Sequence, residues 1–395
     1  MRFSSRLPAL FLAALLCLGS GARALDWSPD GRQIVLGGSS LRLADSGGAA
    51  SGAAAASLLP GSLTPPPSGV IALPGAGPGA FPVWSPDGRT IAYLAEGHRL
   101  TLYDLARQQG RMAEENAVTP VSWAPDSKSF AVVRAEETGA LQLKLLYRDG
   151  GTALTVDLPF RALPVARMRV LAWIPRTDNV VLAGGEGNKV DLYLIDQGQV
   201  ERLTSSSDIL GFIVSQDGRR VLWARRSLNT HYIVFSLYEM NIQTRTVRKL
   251  NYPMVLPAVN PNPRRAPDSI DTVVFSPDGR RLTFVAHGGP GIGPNGVALY
   301  LSDITGASVR PLGQGKTLAA ALAPPKPQSG QAAALPPSLP TGRDLTGLTL
   351  PMTLPAFSPD GQRLVALRFD GGKRTLLLVD AATGQTRAFP LPPEL

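Results

Sequence analysis

Three histidines, His98, His231 and His287, are the side chains of this sequence best suited to bind a metal ion. Imidazole nitrogens are common metal ligands, and a shared ion would hold them at bonds of about 2 Å. All three fall near the same hairpin of a repeated unit, which would place them on one face of the fold. They belong to the second, fifth and sixth units, however, and these lie too far apart to share an ion. We therefore predict no metal site and no cofactor.

Glycine-rich segments of the C-terminal half imitate two nucleotide-binding motifs. Gly291-Ile-Gly293-Pro-Asn-Gly296 has the spacing of a dinucleotide-binding fingerprint, and residues 313–317 resemble a phosphate-binding loop. The first lies between two predicted antiparallel strands, with no helix whose N-terminus could receive a pyrophosphate. In the second segment, Arg310 occupies the position of the first glycine of the phosphate-binding loop motif. Neither segment predicts nucleotide chemistry.

The elements that would position any site are copies of one turn between two apolar segments. Four copies are intact and three are degenerate, and internal repeats of this kind determine the architecture. The intact copies are Trp27-Ser-Pro-Asp-Gly31, Trp84-Ser-Pro-Asp-Gly88, Phe275-Ser-Pro-Asp-Gly279 and Phe357-Ser-Pro-Asp-Gly361; the degenerate ones begin at Trp123, Trp173 and Val214.

The second copy shows how one unit is built. A short strand ends at Trp84, and the turn that follows suits its residues because proline presets φ, aspartate bonds local backbone and Gly88 accepts positive φ. A return strand covers residues 90–94, and a third strand covers residues 100–104. The third-strand pattern recurs at Leu102-Tyr103, Leu192-Tyr193, Leu237-Tyr238 and Leu299-Tyr300. With a fourth strand after the next turn, each unit is a four-stranded antiparallel blade.

The motif Trp-Ser-Pro-Asp-Gly-Arg-x-Ile-Ala-Tyr followed by Leu-Tyr-Asp resembles the WD40-like repeat of TolB-type β-propellers. Similar repeats build the propellers of prolyl-oligopeptidase-like enzymes and of some polysaccharide lyases. The resemblance covers residues 25–395 and implies an all-β fold with a single β-propeller. We predict seven blades from the seven copies, whereas the TolB resemblance implies six. TolB proteins carry an α/β domain before the propeller, and we expect none here because the repeats begin at Trp27.

Two recurring residue types within the repeat have structural interpretations. A large aromatic residue before the turn is expected to wedge between blades, burying about 150–250 Å² each time; a ring of stacking platforms for sugars or bases is the alternative. The turn aspartates are expected to form turns, because they lack the alternating acidic spacing of calcium loops. The aromatic residues are Trp27, Trp84, Trp123, Trp173, Phe275 and Phe357, and the aspartates are Asp30, Asp87, Asp126, Asp217, Asp278 and Asp360.

The first 24 residues have the pattern of a secretory signal peptide. Arg2 and Arg6 precede an apolar run at residues 7–18, and Ala22-Arg-Ala24 is a small-x-small cleavage site. The run is shorter than the ~20 residues of a spanning helix. We therefore predict cleavage after Ala24 and a periplasmic or secreted protein rather than a membrane anchor.

The cysteine content and the net charge limit how the fold can be stabilised and which partners it can bind. Cys17 is the only cysteine, so cleavage would leave no disulfide and no thiol nucleophile. The net charge of +9 is spread over 395 residues, whereas nucleic-acid binding needs basic residues clustered on one face. We expect a protein or cell-envelope component as partner, no nucleic acid, no membrane span in the mature chain, and a monomer.

Three low-complexity insertions interrupt the repeat, at residues 44–69, 251–269 and 314–351. The last two are predicted to flank the sixth blade on the face opposite the Ser-Pro-Asp-Gly turns, together with a glycine-rich loop after His287. Rigid scaffolds commonly carry function on such loops, although insertions also accumulate where they are tolerated. The candidate binding residues there are Arg264, Arg265, His287 and Lys316.

These observations favour a non-enzymatic, exported scaffold that binds a protein or an envelope component. A propeller-based polysaccharide lyase or hydrolase with an unrecognised site is the alternative. A run such as His287-Gly-Gly-Pro290 occurs in prolyl-oligopeptidase-like enzymes, but no Gly-x-Ser-x-Gly nucleophile elbow accompanies it here. We therefore expect no catalytic residues.

Overall fold

A computed structural model describes residues 25–31, 33–36, 39–44, 62–64, 73–76, 80–161, 163, 170–186, 189–205, 208–226, 235–250, 269–287, 297–312, 355–370 and 373–391. Strands and turns make up these ranges, and none of them contains a helix. Accordingly, the described part of the chain offers no helix with the length and apolar character needed to cross a membrane.

Seven antiparallel sheets, each built from four strands consecutive in the sequence, form the blades of a β-propeller. Blade 1 contains β1 Leu25–Trp27, β2 Gln33–Leu36, β3 Ser39–Ala44 and β4 Ser62–Thr64. Blade 2 contains β5 Val83–Trp84, β6 Thr90–Ala95, β7 Arg99–Asp104 and β8 Gln109–Glu114. Blade 3 contains β9 Ser122–Trp123, β10 Ser129–Ala135, β11 Leu141–Tyr147 and β12 Thr152–Asp157. Blade 4 contains β13 Leu171–Trp173, β14 Val180–Glu186, β15 Lys189–Asp196 and β16 Gln199–Arg202.

The remaining three blades follow the same plan. Blade 5 contains β17 Ile209–Val214, β18 Arg220–Arg226, β19 Phe235–Asn241 and β20 Val247–Leu250. Blade 6 contains β21 Ser269–Phe275, β22 Arg281–His287, β23 Val297–Asp303 and β24 Arg310–Pro311. Blade 7 contains β25 Ala356–Phe357, β26 Arg363–Asp370, β27 Lys373–Asp380 and β28 Thr386–Leu391. The all-β fold and the seven blades predicted from the repeat are confirmed.

The first strand of each blade lies toward the centre of the ring. Strand β1 contacts β5 on one side and β25 on the other, and β13 contacts both β9 and β17. Contact between β1 and β25 brings the first and last blades together and closes the ring. We refer to the four strands of a blade as A to D, from the centre outward.

The aromatic residue that ends most A strands is buried between neighbouring blades, as predicted. Trp84 of blade 2 packs in one apolar cluster with Val35 of blade 1 and with Ile91 and Tyr93 of its own blade. Phe357 of blade 7 likewise shares a cluster with apolar residues of blade 6. The wedge interpretation is therefore confirmed, because each aromatic ring seals the gap to the preceding blade.

The Ser-Pro-Asp-Gly segments form tight A–B turns held by a local hydrogen-bond pattern. In blade 2, the Gly88 amide donates to the Ser85 carbonyl at 2.9 Å, and the Ser85 hydroxyl donates to Asp87 Oδ1 at 2.6 Å. Gly88 has a φ of +70°, the left-handed region that glycine adopts without a steric penalty. The degenerate copy in blade 3 keeps this geometry, since Ser127 takes the glycine position at φ +61°. The aspartates are turn formers, as predicted.

The two faces of the ring differ in the connections that they carry. Because successive strands are antiparallel, A–B and C–D connections emerge on one face, which we call the turn face. B–C and D–A connections emerge on the opposite face, which we call the loop face. The 251–269 and 314–351 insertions join D strands to A strands, so the structure places their attachment points on the loop face, as predicted.

Part of the predicted insertion at residues 44–69 belongs to blade 1. Ala44 ends β3, and Ser62–Thr64 form β4, the outermost strand of the blade. An outer strand needs only backbone hydrogen bonds to its neighbour, so a segment poor in apolar residues can still pair. Residues 45–61 therefore join strand C to strand D, and the strand ends to which they attach lie at the turn face.

Candidate functional sites

The loop face at blade 6 carries the longest D–A connection between described strands, a second long D–A connection and the longest B–C connection. Residues 251–268 join β20 to β21, residues 288–296 join β22 to β23, and residues 312–355 join β24 to β25. All of these strand ends belong to blade 6 or its immediate neighbours. Three long connections thus leave the ring within one sector of one face.

The A strands of blades 5 and 6 are longer than those of the other blades. Strand β17 has 6 residues and β21 has 7, whereas β5, β9 and β25 have 2 each. The extra length lies at the loop face, because all A strands end at the same turn position on the other face. At the loop-face end of blade 6, Ser269 of β21 pairs with His287 of β22, and His287 also pairs with Val297 of β23. Blade 6 therefore extends as a paired sheet toward the loop face.

Close backbone packing joins these two long strands. A side chain on Gly211 of β17 would place its Cβ 1.9 Å from the Val273 carbonyl oxygen of β21. Both strands also carry a register irregularity at this height, between Ile209 and Gly211 and between Ile270 and Val273. Blades 5 and 6 therefore form a tightly packed base beneath the long connections.

The predicted binding residues fall at or beyond the edge of the described structure. Arg264, Arg265 and Lys316 lie outside the described residues, within the connections on either side of blade 6. The backbone of His287 ends β22 at the loop face. These four positions remain predictions as binding residues.

The histidines belong to three different blades, as the repeat predicted. His98 lies in the B–C turn of blade 2 with a φ of +60°, and its carbonyl accepts a hydrogen bond from the Ala117 amide at 2.9 Å. His287 belongs to blade 6, and His231 lies outside the described residues in the β18–β19 connection of blade 5. Within the described ranges, no group of three histidine, cysteine or acidic side chains could hold a metal ion.

A shallow depression of about 430 Å³ lies on the turn face between blades 6 and 7. Three carboxylates and two guanidinium groups border it, on the A–B turns of both blades and the C–D turn of blade 7. Its main lining residues are Asp278, Arg280, Arg281, Asp360, Gln362 and Asp380. Sequence reasoning missed this depression, although the alternation of aspartate and arginine in the turns could have indicated a charged surface.

Most polar groups of this depression already serve the turns. Asp278 Oδ1 accepts hydrogen bonds from the Ser276 hydroxyl and from the Arg280 amide. Arg281 Nη1 reaches across the blade boundary and donates to the Gly361 carbonyl at 3.1 Å. The depression is thus held by internal hydrogen bonds that fix its shape.

The electrostatics of Asp360 favour a permanently charged carboxylate. Burial by itself raises the pKa of Asp360, but hydrogen bonds from the Ser358 hydroxyl and the Gln362 amide, together with the charge of Arg363, outweigh this effect. The pKa therefore lies below its ordinary value. A carboxylate of this kind pairs with cations and is a poor proton donor near neutral pH.

A neighbouring turn makes a pH-dependent contribution to stability. Burial raises the pKa of Asp303, but hydrogen bonds from the Ser308 and Thr305 hydroxyls and from backbone amides outweigh it and lower the pKa to about 2, from 3.8. Because the folded-state pKa is depressed, the charged turn stabilises the protein above pH 3.8, and this stabilisation is lost as the pH falls toward 2.

We expect Asp303→Asn to reduce the stability of the protein at pH 6 and to cost progressively less as the pH falls from about 4 to 2. Urea unfolding of both proteins at several pH values measures this difference. A stability difference that stays constant over that range would show that the charge of Asp303 does not contribute.

No protein-family model matches the sequence, and no curated protein matches it either. Solved structures of similar fold include an oligogalacturonate lyase in complex with manganese, which is 14% identical with a TM-score of 0.58 and covers 90% of this chain and 89% of that one. An oligogalacturonate lyase from Vibrio parahaemolyticus is 12% identical with a TM-score of 0.58 and covers 92% of each chain.

TolB from Acinetobacter baumannii is 16% identical to this chain, with a TM-score of 0.44. The match covers 78% of this chain, which spans 62% of the length of the TolB structure. At such identities these likenesses concern the fold alone. The predicted β-propeller fold is confirmed by the seven four-stranded sheets and by the likeness to the two lyase structures.

Proposed function

We propose that this chain is a non-enzymatic, exported β-propeller that binds a protein or a cell-envelope component through its loop face at blade 6. The observation that carries this proposal is the extension of the paired A strands of blades 5 and 6 toward the loop face. The longest D–A connection between described strands, residues 312–355, and the longest B–C connection, residues 288–296, both attach there. A rigid base beneath variable loops is the usual arrangement of a recognition surface.

The chemistry of the connections supports a partner with anionic or polar groups. The segment between β20 and β21 contains the adjacent Arg264 and Arg265, and the segment between β24 and β25 contains Lys316. Guanidinium groups bind carboxylates and phosphates in a bidentate manner. Acidic protein surfaces and anionic envelope components both present such groups. Export rests on the signal-peptide pattern of residues 1–24, which lie outside the described residues.

We expect the double substitution Arg264→Glu with Arg265→Glu, and separately a deletion of residues 314–351, to weaken capture of the partner from an envelope extract. Charge reversal would place like charges against an anionic partner, which typically costs several kcal/mol, or roughly a hundredfold in affinity. Affinity capture with mass spectrometry identifies the partner, and binding to the purified partner then measures the loss.

Arg219→Glu with Arg280→Glu is the matched control, because both arginines are exposed in A–B turns on the opposite, turn face. It reverses two charges, as the loop-face variant does, and should leave capture unaltered. If the loop-face variants capture the partner as well as the unmodified protein does, the loop face is not the binding surface.

A polysaccharide lyase is the second candidate, because the fold likeness to the oligogalacturonate lyases extends over 90% of this chain or more. Incubation of the purified protein with oligogalacturonates, with and without manganese, tests it by the absorbance of unsaturated products. Metal-dependent product formation would replace the binding proposal with an enzymatic one.

A further inference from the structure

The junction between blade 7 and blade 1 differs from the other junctions of the ring. Every blade takes its four strands from one continuous stretch of sequence, so each blade is tied to the next by a chain connection. Blade 7 ends the series and blade 1 begins it, and no described strand is shared between them. This junction is therefore closed by non-covalent contacts alone.

Trp27 and Arg363 form a clasp across this junction. Trp27 Nε1 of blade 1 donates to the Ala356 carbonyl of blade 7 at 3.0 Å. In the opposite direction, Arg363 Nη2 of blade 7 donates to the Gly31 carbonyl of blade 1 at 2.9 Å. The Arg363 guanidinium carbon also lies 4.9 Å from the centroid of the Trp27 ring, which is within cation–π distance.

An equivalent arginine exists at the preceding junction, which allows a direct comparison. Arg281 begins strand B of blade 6, as Arg363 begins strand B of blade 7, and its guanidinium donates to the Gly361 carbonyl at 3.1 Å. Both arginines thus make the same bond to the turn glycine of the next blade. The 6–7 junction is additionally bridged by residues 312–355, whereas the 7–1 junction has no such bridge.

The surfaces that meet at the 7–1 junction are apolar. Val35 packs toward blade 2, so its strand neighbour Ile34 and the residue paired with it, Trp27, face blade 7. On blade 7, Leu364 packs toward blade 6, so Val365 faces blade 1. Trp27, Ile34 and Val365 are buried in the closed ring and would become exposed if the two blades separated.

We propose that the ring opens at the 7–1 junction, with the Trp27–Arg363 clasp controlling this opening. Separation there breaks the clasp and exposes the apolar faces of blades 1 and 7 while the other six junctions keep their chain connections. Sub-global opening of this kind follows the boundaries of structural units. The open form presents a lateral apolar surface distinct from the loop face.

Thiol labelling measures the opening, because a chain carrying Cys17→Ser has no native cysteine. Ile34→Cys places a thiol in the junction, and Val180→Cys places one at the equivalent position of blade 4, since Ile34 pairs with Trp27 as Val180 pairs with Trp173. Both native residues are fully buried. Under native conditions we expect Ile34→Cys to react at least about tenfold faster than Val180→Cys.

Arg363→Gln and Arg281→Gln, introduced into each cysteine variant, separate opening of the junction from general destabilisation. Arg363→Gln should accelerate labelling at position 34 by about tenfold and leave position 180 unchanged, whereas Arg281→Gln should accelerate neither. Urea unfolding of every variant supplies the global stability, against which each labelling rate is normalised. Equal normalised rates at positions 34 and 180, or equal effects of the two glutamine substitutions at position 34, would overturn the proposal.

Discussion

Trp84→Ala should lower the free energy of unfolding by about 3–5 kcal/mol, the usual cost of removing a large aromatic side chain from a core. Trp84 is 7% exposed and packs against Val35 of the preceding blade and against Ile91 and Tyr93 of its own blade. Its loss leaves a cavity at the boundary between blades 1 and 2. Urea unfolding followed by circular dichroism measures the change, and the same variant should retain partner binding at low temperature.

Two further substitutions define what Trp84 contributes. Trp84→Phe should cost much less, because no described residue accepts a hydrogen bond from the Trp84 indole and because phenylalanine occupies this register in blades 6 and 7. Met112→Ala, at a side chain that is 50% exposed, should change stability by no more than about 0.5 kcal/mol. An unchanged melting temperature for Trp84→Ala together with lost partner binding would show that the residue recognises the partner.

Gly211→Ala should destabilise the protein by about 3 kcal/mol or more, the upper range for overpacking of a core. The new Cβ would lie 1.9 Å from the Val273 carbonyl oxygen and 2.9 Å from its carbonyl carbon. A backbone carbonyl in a paired strand cannot rotate away, so β17 and β21 must move apart. Hydrogen exchange should therefore increase in both strands, and urea unfolding gives the magnitude.

Gly97→Ala is the matched control for a glycine without close neighbours. A Cβ there would meet nothing within 4 Å, and only the φ of +76° opposes it. The left-handed backbone alone should cost about 1–2 kcal/mol. If Gly211→Ala cost no more than Gly97→Ala, the close approach of blades 5 and 6 would not contribute to stability.

The turns and blades were predictable because their determinants are local. The hydrogen bonds that residues 85–90 of blade 2 make with one another join positions no more than five apart, from Ser85 to Thr90. Proline, aspartate and glycine favour this conformation wherever the segment occurs. Seven copies of the turn, each followed by a strand with an apolar pattern, therefore indicated seven blades before any tertiary contact was known.

The outer strand of blade 1 was not predictable in the same way. Ser62–Thr64 carry no apolar pattern that marks a strand, and they pair with β3 through backbone groups that every sequence possesses. The sequence also did not predict the contact that Ser127 makes with the neighbouring blade. Its hydroxyl accepts a hydrogen bond from the Asp87 amide of the preceding blade, a contact that depends on how the blades stack.

The candidate loop face was partly predictable. The repeat located the long insertions around blade 6 and assigned them to one face, and strand order confirms that assignment. The lengthened A strands of blades 5 and 6 were not foreseen, because an apolar segment of six or seven residues does not reveal how far it pairs. The roles of Arg264, Arg265, His287 and Lys316 remain predictions.

The amino-acid sequence by itself determined the repeating unit, the number of blades and the face on which the long connections attach. These properties arise from turns and apolar patterns in which the interacting residues are close in the chain. The tertiary structure alone decided how the ring closes, because Trp27 and Ala356 are 329 positions apart in sequence. Their contact depends on the rotation accumulated over seven blades, and only the complete ring brings the first turn beside the last.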